Sequence, residues 1–409
     1  MGNTSYYLYQ KYIKIGNQDW IPNYPNVWSV DGDGTMPLVV KSIDDPTCGY
    51  IPPSEPIYRW IDVDPTKDWI CDDCPGIKDY FATTALEDMQ IMFTPIFDYD
   101  READDYYIYY SLDSGYTWNK TWVESGVGVV TPVLHSGDTV FWKASGLTVS
   151  SDYGIGGFEA SYSKHYNISG NILSLVYGDD FENNTTISND YQFKRMFYEK
   201  GVVNASGLTL PANVTPYCYE EMFYSSALVT PPPVLPALNL AEGCYMGMLR
   251  SQNLTTAPTI CATTMATSAC TSMFEGCTSL TTAPELPATT LAPYCYLRMF
   301  NYCRSLQAAP TLPATALTEG CYSGMFNRCS GITSIALPAR DLVQGCYTSI
   351  CSNCTNLNDI KCWATTGLNY LQYSEAFARV ASNGTFYKIR TASYPSNVIP
   401  SGWTIQYVT

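Results

Sequence analysis

Leu280-Thr-Thr-Ala-Pro-Glu-Leu-Pro-Ala-Thr-Thr-Leu-Ala-Pro-Tyr-Cys-Tyr-Leu-Arg-Met-Phe-Asn-Tyr-Cys-Arg-Ser305 decides the fold, because at Leu306 the same pattern begins again. Leu-Pro-Ala starts at Leu210, Leu235, Leu286, Leu312 and Leu337, with Ile260-Cys261-Ala262 as the variant between, so successive spacings are 25 or 26 residues. A Met column runs beside it through Met196, Met222, Met248, Met273, Met299 and Met325, each followed by Phe or Leu, and Ile350-Cys351 closes the series. Two cysteine columns complete the unit: Cys218, Cys244, Cys295, Cys321 and Cys346, with Ala269 substituting once, and Cys277, Cys303, Cys329 and Cys354. A unit this short cannot bury its own apolar face and must be sealed by its neighbours. Leu280, Ala283 and Leu286 are expected to point inward from a short strand, and Leu291, Cys295, Met299, Phe300 and Cys303 from a helical or 3₁₀ turn. At a strand spacing of ~4.8 Å, about seven rungs give a stack roughly 30–35 Å long.

Outward from the repeat, the 409 residues divide into two materials. Residues 1–203 carry 13 Lys+Arg against 29 Asp+Glu, whereas residues 204–409 carry 9 of each. The net charge of −16 would repel a phosphate backbone, so nucleic acid is not an expected partner. Aromatic residues make up 14% and charged residues only 15%, a balance that suits sheet-rich folded protein rather than disorder. Met1 to Tyr9 shows neither a basic n-region nor an apolar run, and no segment reaches the roughly 18 apolar residues of a membrane span, so neither export nor a membrane span is expected.

The order Leu, short strand, Pro, apolar, Cys or Ala, Phe, x, x, Cys, x, x, Leu resembles the BspA-like leucine-rich repeat of bacterial surface antigens. It is most similar to the Cys-Tyr-x-x-Met-Phe-x-x-Cys variant of gut Bacteroidales and of the tail or fibre proteins of their phages, over about residues 190–365. Tyr7-Leu-Tyr-Gln-Lys-Tyr12, Gln18-Asp-Trp-Ile-Pro22, Tyr58-Arg-Trp60 and Asn171-Ile-Leu-Ser-Leu-Val-Tyr-Gly178 also look like the flanking modules of that phage group. The resemblance implies a mainly β fold with short helices: N-terminal β-modules, β-sandwich-like, followed by a leucine-rich-repeat solenoid of about seven 25–26-residue rungs. Residues 1–76 then form an N-terminal β-module, 77–190 a β-sandwich-like domain and joint, 191–365 the solenoid and 366–409 a C-terminal cap. Within 77–176 the alternation of Met89–Phe93, Tyr106–Tyr110, Val127–Val133 and Thr139–Lys143 independently suggests strands.

Several constellations invite chemistry and have plainer readings. In stacked rungs, same-column cysteines lie side by side with parallel side chains, so free thiols acting as small core groups are expected over disulfides. Cys71-Asp-Asp-Cys74 and Cys351-Ser-Asn-Cys354 have zinc-knuckle spacing, but the second pair is two repeat columns and the first lacks a partner pair beyond Cys48; no metal or other cofactor is expected. Ser111-Leu-Asp-Ser-Gly-Tyr-Thr-Trp118 matches the Asp-box of sialidase propellers, where the motif is a turn device; one copy reads as a β-hairpin with Trp118 packing back. Asp31-Gly-Asp-Gly-Thr35 reads as a Gly-rich turn, and Asp98, Asp100, Glu102, Asp104 and Asp105 as a solvated connection. With two histidines and no nucleophile or phosphate-binding motif, no catalytic residue is assigned.

The expected function is a non-enzymatic structural and adhesion protein of a phage virion, a tail or fibre component assembled in the host cytoplasm. Its partners would be other virion proteins and a host-surface glycan or protein, with a homo-oligomer possible. The alternatives are a bacterial cell-surface leucine-rich-repeat adhesin and a carbohydrate-degrading virion spike. Candidate binding residues are those that vary between rungs at otherwise fixed positions, Glu275, Tyr294, Arg298, Arg304 and Arg328, together with Tyr296 of the Tyr column. Tyr faces can stack on sugars, and packing between rungs is the competing role for that column.

Overall fold

The computed structural model describes residues 78–96, 107–122, 126–147 and 149–408, and within residues 1–77 the backbone of seven strands. Cys48, Cys71, Cys74, Asp31 to Gly34 and Asp98 to Asp105 lie outside the described residues. Contacts divide the chain into two units, residues 1–78 with 113–117 and residues 79–112 with 118–409. In the first, β1 (Thr4–Tyr6) pairs with β5 (Trp28–Val30), and β2 (Leu8–Tyr9), β3 (Tyr12–Ile15) and β4 (Gln18–Pro22) form a meander. There too β6 (Thr35–Val40) pairs with β7 (Ile57–Asp62), every pairing being antiparallel.

The second unit starts as two facing sheets. One contains β8 (Phe81–Ala85), β10 (Tyr107–Ser111), β11 (Asn119–Trp122), β13 (Thr139–Ser145), β15 (Tyr166–Asn171) and β16 (Val202–Thr209), in the order β11-β10-β13-β8-β15-β16. The other has β9 (Ile91–Pro95) between β12 (Val129–Val130) and β14 (Gly156–Ala160). Alternate residues of β9 and β14 are buried, as a sheet covered on one side requires. Phe158 of β14 lies 5.1 Å from the rings of both Phe81 and Trp142 on the opposing sheet. The Asp113 carboxylate accepts the Thr117 N–H at 2.9 Å and its hydroxyl at 2.6 Å, closing the turn of the β10–β11 hairpin. Beyond it the Trp118 ring meets that of Tyr80 edge-on at 4.8 Å, so this motif is a hairpin as expected.

The single α-helix among the described residues, α1 (Ser174–Tyr177), and a 3₁₀ segment, Gly178–Asn183, follow β15. Lys143 Nζ bonds both oxygens of Asp179, at 2.7 and 2.8 Å, and holds this segment against the sheet. The chain then enters the repeats without leaving the sheet. β15 pairs antiparallel with β8 on one side and parallel with β16 on the other, so the sheet changes from hairpin pairing to repeat pairing at this strand. Gly154 and Gly157 permit a close approach here, since a Cβ on either would fall within 3 Å of backbone atoms of residues 191–196. Across that gap the N–H groups of Ile155 and Phe158 donate to the carbonyls of Gln192 and Met196, both at 3.1 Å.

From residue 191 onward each repeat hydrogen-bonds to the next. In the quoted unit the N–H groups of Tyr294, Tyr296, Arg298, Phe300 and Tyr302 donate to the carbonyls of Glu319, Cys321, Ser323, Met325 and Asn327, at 2.8–3.0 Å. The intervening N–H groups of Cys295, Leu297, Met299, Asn301 and Cys303 each close a turn on the carbonyl three residues back. Every fourth residue is left-handed: Tyr294, Arg298 and Tyr302 have φ of +58, +53 and +65°, and the same three places recur in the other repeats.

This corrects the expectation of a helical or 3₁₀ turn. Helix bonds would consume every N–H within the run, whereas here alternate N–H groups serve the neighbouring repeat. The expected strand at Leu280–Leu286 is also absent: Pro287 has no N–H at the place from which Cys261 and Trp363 donate to the preceding repeat. Where that place is not proline, parallel pairs do form: β17 (Val234–Leu235) with β18 (Thr259–Ile260), where Cys261 N–H donates to Leu235, and β19 (Ser334–Leu337) with β20 (Asp359–Cys362), where Trp363 N–H donates to Leu337. β21 (Thr385–Ile389) and then β22 (Thr404–Val408) extend that second sheet in parallel. Inward positions are as expected: Leu280, Leu286, Leu291, Cys295, Met299, Phe300 and Cys303 are buried, and Ala283 is half-buried. Rings stack in register, Phe274–Phe300 at 5.4 Å and Phe300–Phe326 at 5.7 Å, each within 2° of parallel.

The left-handed places couple neighbours in sequence. Tyr294 lays its ring over Gly320 and donates its hydroxyl to Glu319 at 2.6 Å, and Tyr217 treats Gly243 and Glu242 in the same way. A Cβ on Gly320 would sit 2.4 Å from the Tyr294 ring, at a φ of +59°. Gly320→Ala is therefore expected to destabilise by at least the ~1–2 kcal/mol of an alanine in left-handed backbone. Adding Tyr294→Ala should recover the steric part, which a comparison of denaturant midpoints for the single and double variants will read.

Candidate binding surface

The six candidate residues do not converge on one site. Tyr296 is 1% exposed, its ring stacked on Tyr322 at 5.8 Å and 2°, so it offers no face to a ligand; this candidate is corrected to a packing residue. The same holds for Tyr219, Tyr245, Tyr322 and Tyr347, all fully buried. The hydroxyls of Tyr219, Tyr245, Tyr296 and Tyr347 have no hydrogen-bond partner in the structure, and burial drives their ionisation well above the ordinary range. In the repeat where Ala269 replaces the column cysteine, Cys270 takes the tyrosine place, and no ring bridges Tyr245 to Tyr296.

Glu275 is held by its neighbours, paired with Arg250 at 3.3 Å and accepting from Asn301 Nδ2 at 2.7 Å. Tyr294, Arg298, Arg304 and Arg328 are exposed. Tyr294 and Arg298 occupy left-handed places, which turn a side chain outward, and donation to Glu319 raises the Tyr294 hydroxyl pKa. Arg304 and Arg328 meet over one ring that the sequence reading passed over: their guanidinium carbons lie 5.8 and 4.7 Å from the centroid of Tyr302. The resulting cationic patch, two arginines on one tyrosine, is the arrangement on this surface best suited to an anionic or hydroxyl-rich ligand.

Thirteen cysteines lie among the described residues, all free and all buried except the half-buried Cys261. Those of the second column act as donors. Cys277, Cys303, Cys329 and Cys354 point Sγ at the carbonyls of Leu249, Phe274, Phe300 and Phe326 in the preceding repeat, at 2.9–3.1 Å. Where this column lacks cysteine, Gln252 Nε2 donates to the carbonyl of Phe223 instead. Among the described residues no three His, Cys, Asp or Glu side chains gather as a metal set, and no helix is long and apolar enough to cross a membrane. Comparison with protein-family models, curated proteins and solved structures finds no match to the chain.

Burial pushes the Cys277 thiol from 9.0 up to about 12, and Cys295 up to about 11. A thiol whose pKa is raised on folding favours the native state fully below the unfolded value, and that advantage is lost as pH rises through the folded one. Stability should therefore be insensitive to these groups below pH 9.0 and fall from there towards about pH 12. Peptide-mapped alkylation of the native chain near neutral pH should modify Cys261 well before any column cysteine.

Proposed function

We propose that the chain is a non-enzymatic structural and adhesion protein of a phage virion, a tail or fibre component, and that residues 191–365 are a leucine-rich-repeat solenoid presenting a recognition surface. The N-terminal modules dock on other virion proteins, and the repeats face a host-surface glycan or protein. The observation that carries this reading is the donor role of the second cysteine column. A thiol that donates to a carbonyl must keep its proton, so Cys303 and Cys329 fill that role only when reduced. A chain built around reduced thiols suits folding and particle assembly in a reducing cytoplasm better than export through an oxidising compartment.

Support also comes from the surface. Tyr294, Arg298, Arg304 and Arg328 project from consecutive repeats whose backbones are tied rung to rung, so they are held at fixed spacing at little entropic cost. Immunogold labelling with antibody against the purified chain should decorate the tail or fibres of intact particles. Labelling of the bacterial envelope with bare particles would overturn the virion assignment. Replacing Arg298, Arg304 and Arg328 together with alanine should weaken adsorption of particles to host cells by about tenfold or more, the loss of one to a few exposed charged contacts.

A further inference from the structure

The two ends of the repeat stack are finished differently. At the first end, carbonyls face outward from residues 192 and 196 and are met by Ile155 and Phe158. At the other, the alternating run continues past residue 365: Ser349, Cys351 and Asn353 donate to the carbonyls of Ser374, Ala376 and Ala378, and Glu375 and Arg379 take the left-handed places. By the same alternation the N–H groups of Glu375, Phe377 and Arg379 point to where another repeat would lie. Among the described residues no acceptor meets them.

Beside this donor row opens a crevice of about 280 Å³, whose walls include Gln372, Tyr373, Glu375, Phe377, Asn397 and Val398. Phe377 and Val398 are buried and give it an apolar floor, while the Tyr373 side chain stands 87% exposed at its edge. Glu375 and Phe377 of the donor row, the Glu375 carboxylate, the Gln372 and Asn397 amides and the exposed Tyr373 ring thus line one small volume, with Asn397 Nδ2 donating to the Gln372 carbonyl and Gln372 Nε2 to the Tyr373 hydroxyl.

We propose that this crevice is a binding site for a neutral glycan residue. A hydroxyl both accepts, as the N–H row demands, and donates, as the Glu375 carboxylate demands, on a single atom, whereas an amide splits the two roles between separate atoms. A sugar ring carries several of them around an apolar face that can lie on Tyr373. The volume suits one or two rings, and a mixed wall with a few convergent polar groups is the usual make-up of a small-ligand site. An anionic sugar fits less well, because Glu375 stands in the wall and, among the described residues, no Lys or Arg does; Arg379, paired with Glu375 at 4.0 Å, is not part of the lining. The biological role of the site rests on the recognition reading above, but its chemistry does not.

The test uses the full chain, with maltotriose, mannotriose and triacetylchitotriose as probes and a valine-threonine hexapeptide as the competing class, read by saturation-transfer NMR. At least one trisaccharide should bind saturably. Tyr373→Ala and Glu375→Gln should each weaken that binding about fivefold or more, the worth of one contact. Tyr162→Ala, at an equally bare tyrosine that is 94% exposed, should leave it unchanged. The proposal is overturned if none of the three sugars binds up to about 10 mM, if binding survives both crevice substitutions, or if only the peptide binds. Failure here with labelled tails removes this site alone, and sugar binding by a chain missing from particles removes the virion reading alone.

Discussion

The constraint on which the repeat region rests is a division of labour among backbone donors. In each run one N–H closes a turn within its own repeat and the next crosses to the following one, so a single stretch of chain satisfies local and neighbouring acceptors in alternation. This requires every fourth residue to adopt a left-handed conformation, normally costly for a residue with a side chain. Five cross-repeat hydrogen bonds in each run from residue 191 to residue 328, with stacked Phe and Tyr rings beneath them, offset that cost. The side chains at the left-handed places are turned outward, so the same strain that joins the repeats also creates the surface.

That geometry explains what the sequence discloses and what it conceals. The buried places fall at Cys295, Tyr296, Met299, Phe300 and Cys303, a period of four. Over nine residues a period of four is nearly indistinguishable from the 3.6 of a helix, so inward and outward positions are legible while the backbone type is not. The strand at Leu280–Leu286 misleads for a different reason. Its apolar spacing is that of a strand, but Pro287 lacks the donor that a ladder there would need.

Of the candidate surface, Arg298, Arg304 and Arg328 are legible because a charge at a variable position has nowhere to go but outward. Tyr296 could not be placed without the fold: a tyrosine column serves equally well as a stacked core or a sugar platform, and burial settles the matter. Tyr302 escapes notice because its meaning lies in the next repeat, where Arg328 comes to rest on it. The run at residues 372–379 is hidden because Ala376-Phe377 stand where Met-Phe would be and the cysteine has gone. The cross-repeat bonds persist there without the side-chain signature, which shows that backbone geometry outlasts the motif that announces it.

If neighbouring repeats are equivalent partners, removing one whole period rejoins every donor to an acceptor of the same kind. Excising residues 286–311, one 26-residue period, and following thermal unfolding tests this most directly, with excision of only the first half of that segment as the comparison. The account predicts that the full-period deletion stays folded and melts cooperatively, while the half-period deletion, which sets Met-Phe and Cys columns out of register, does not fold. Unfolding of the full-period variant, or equal tolerance of both, would contradict it.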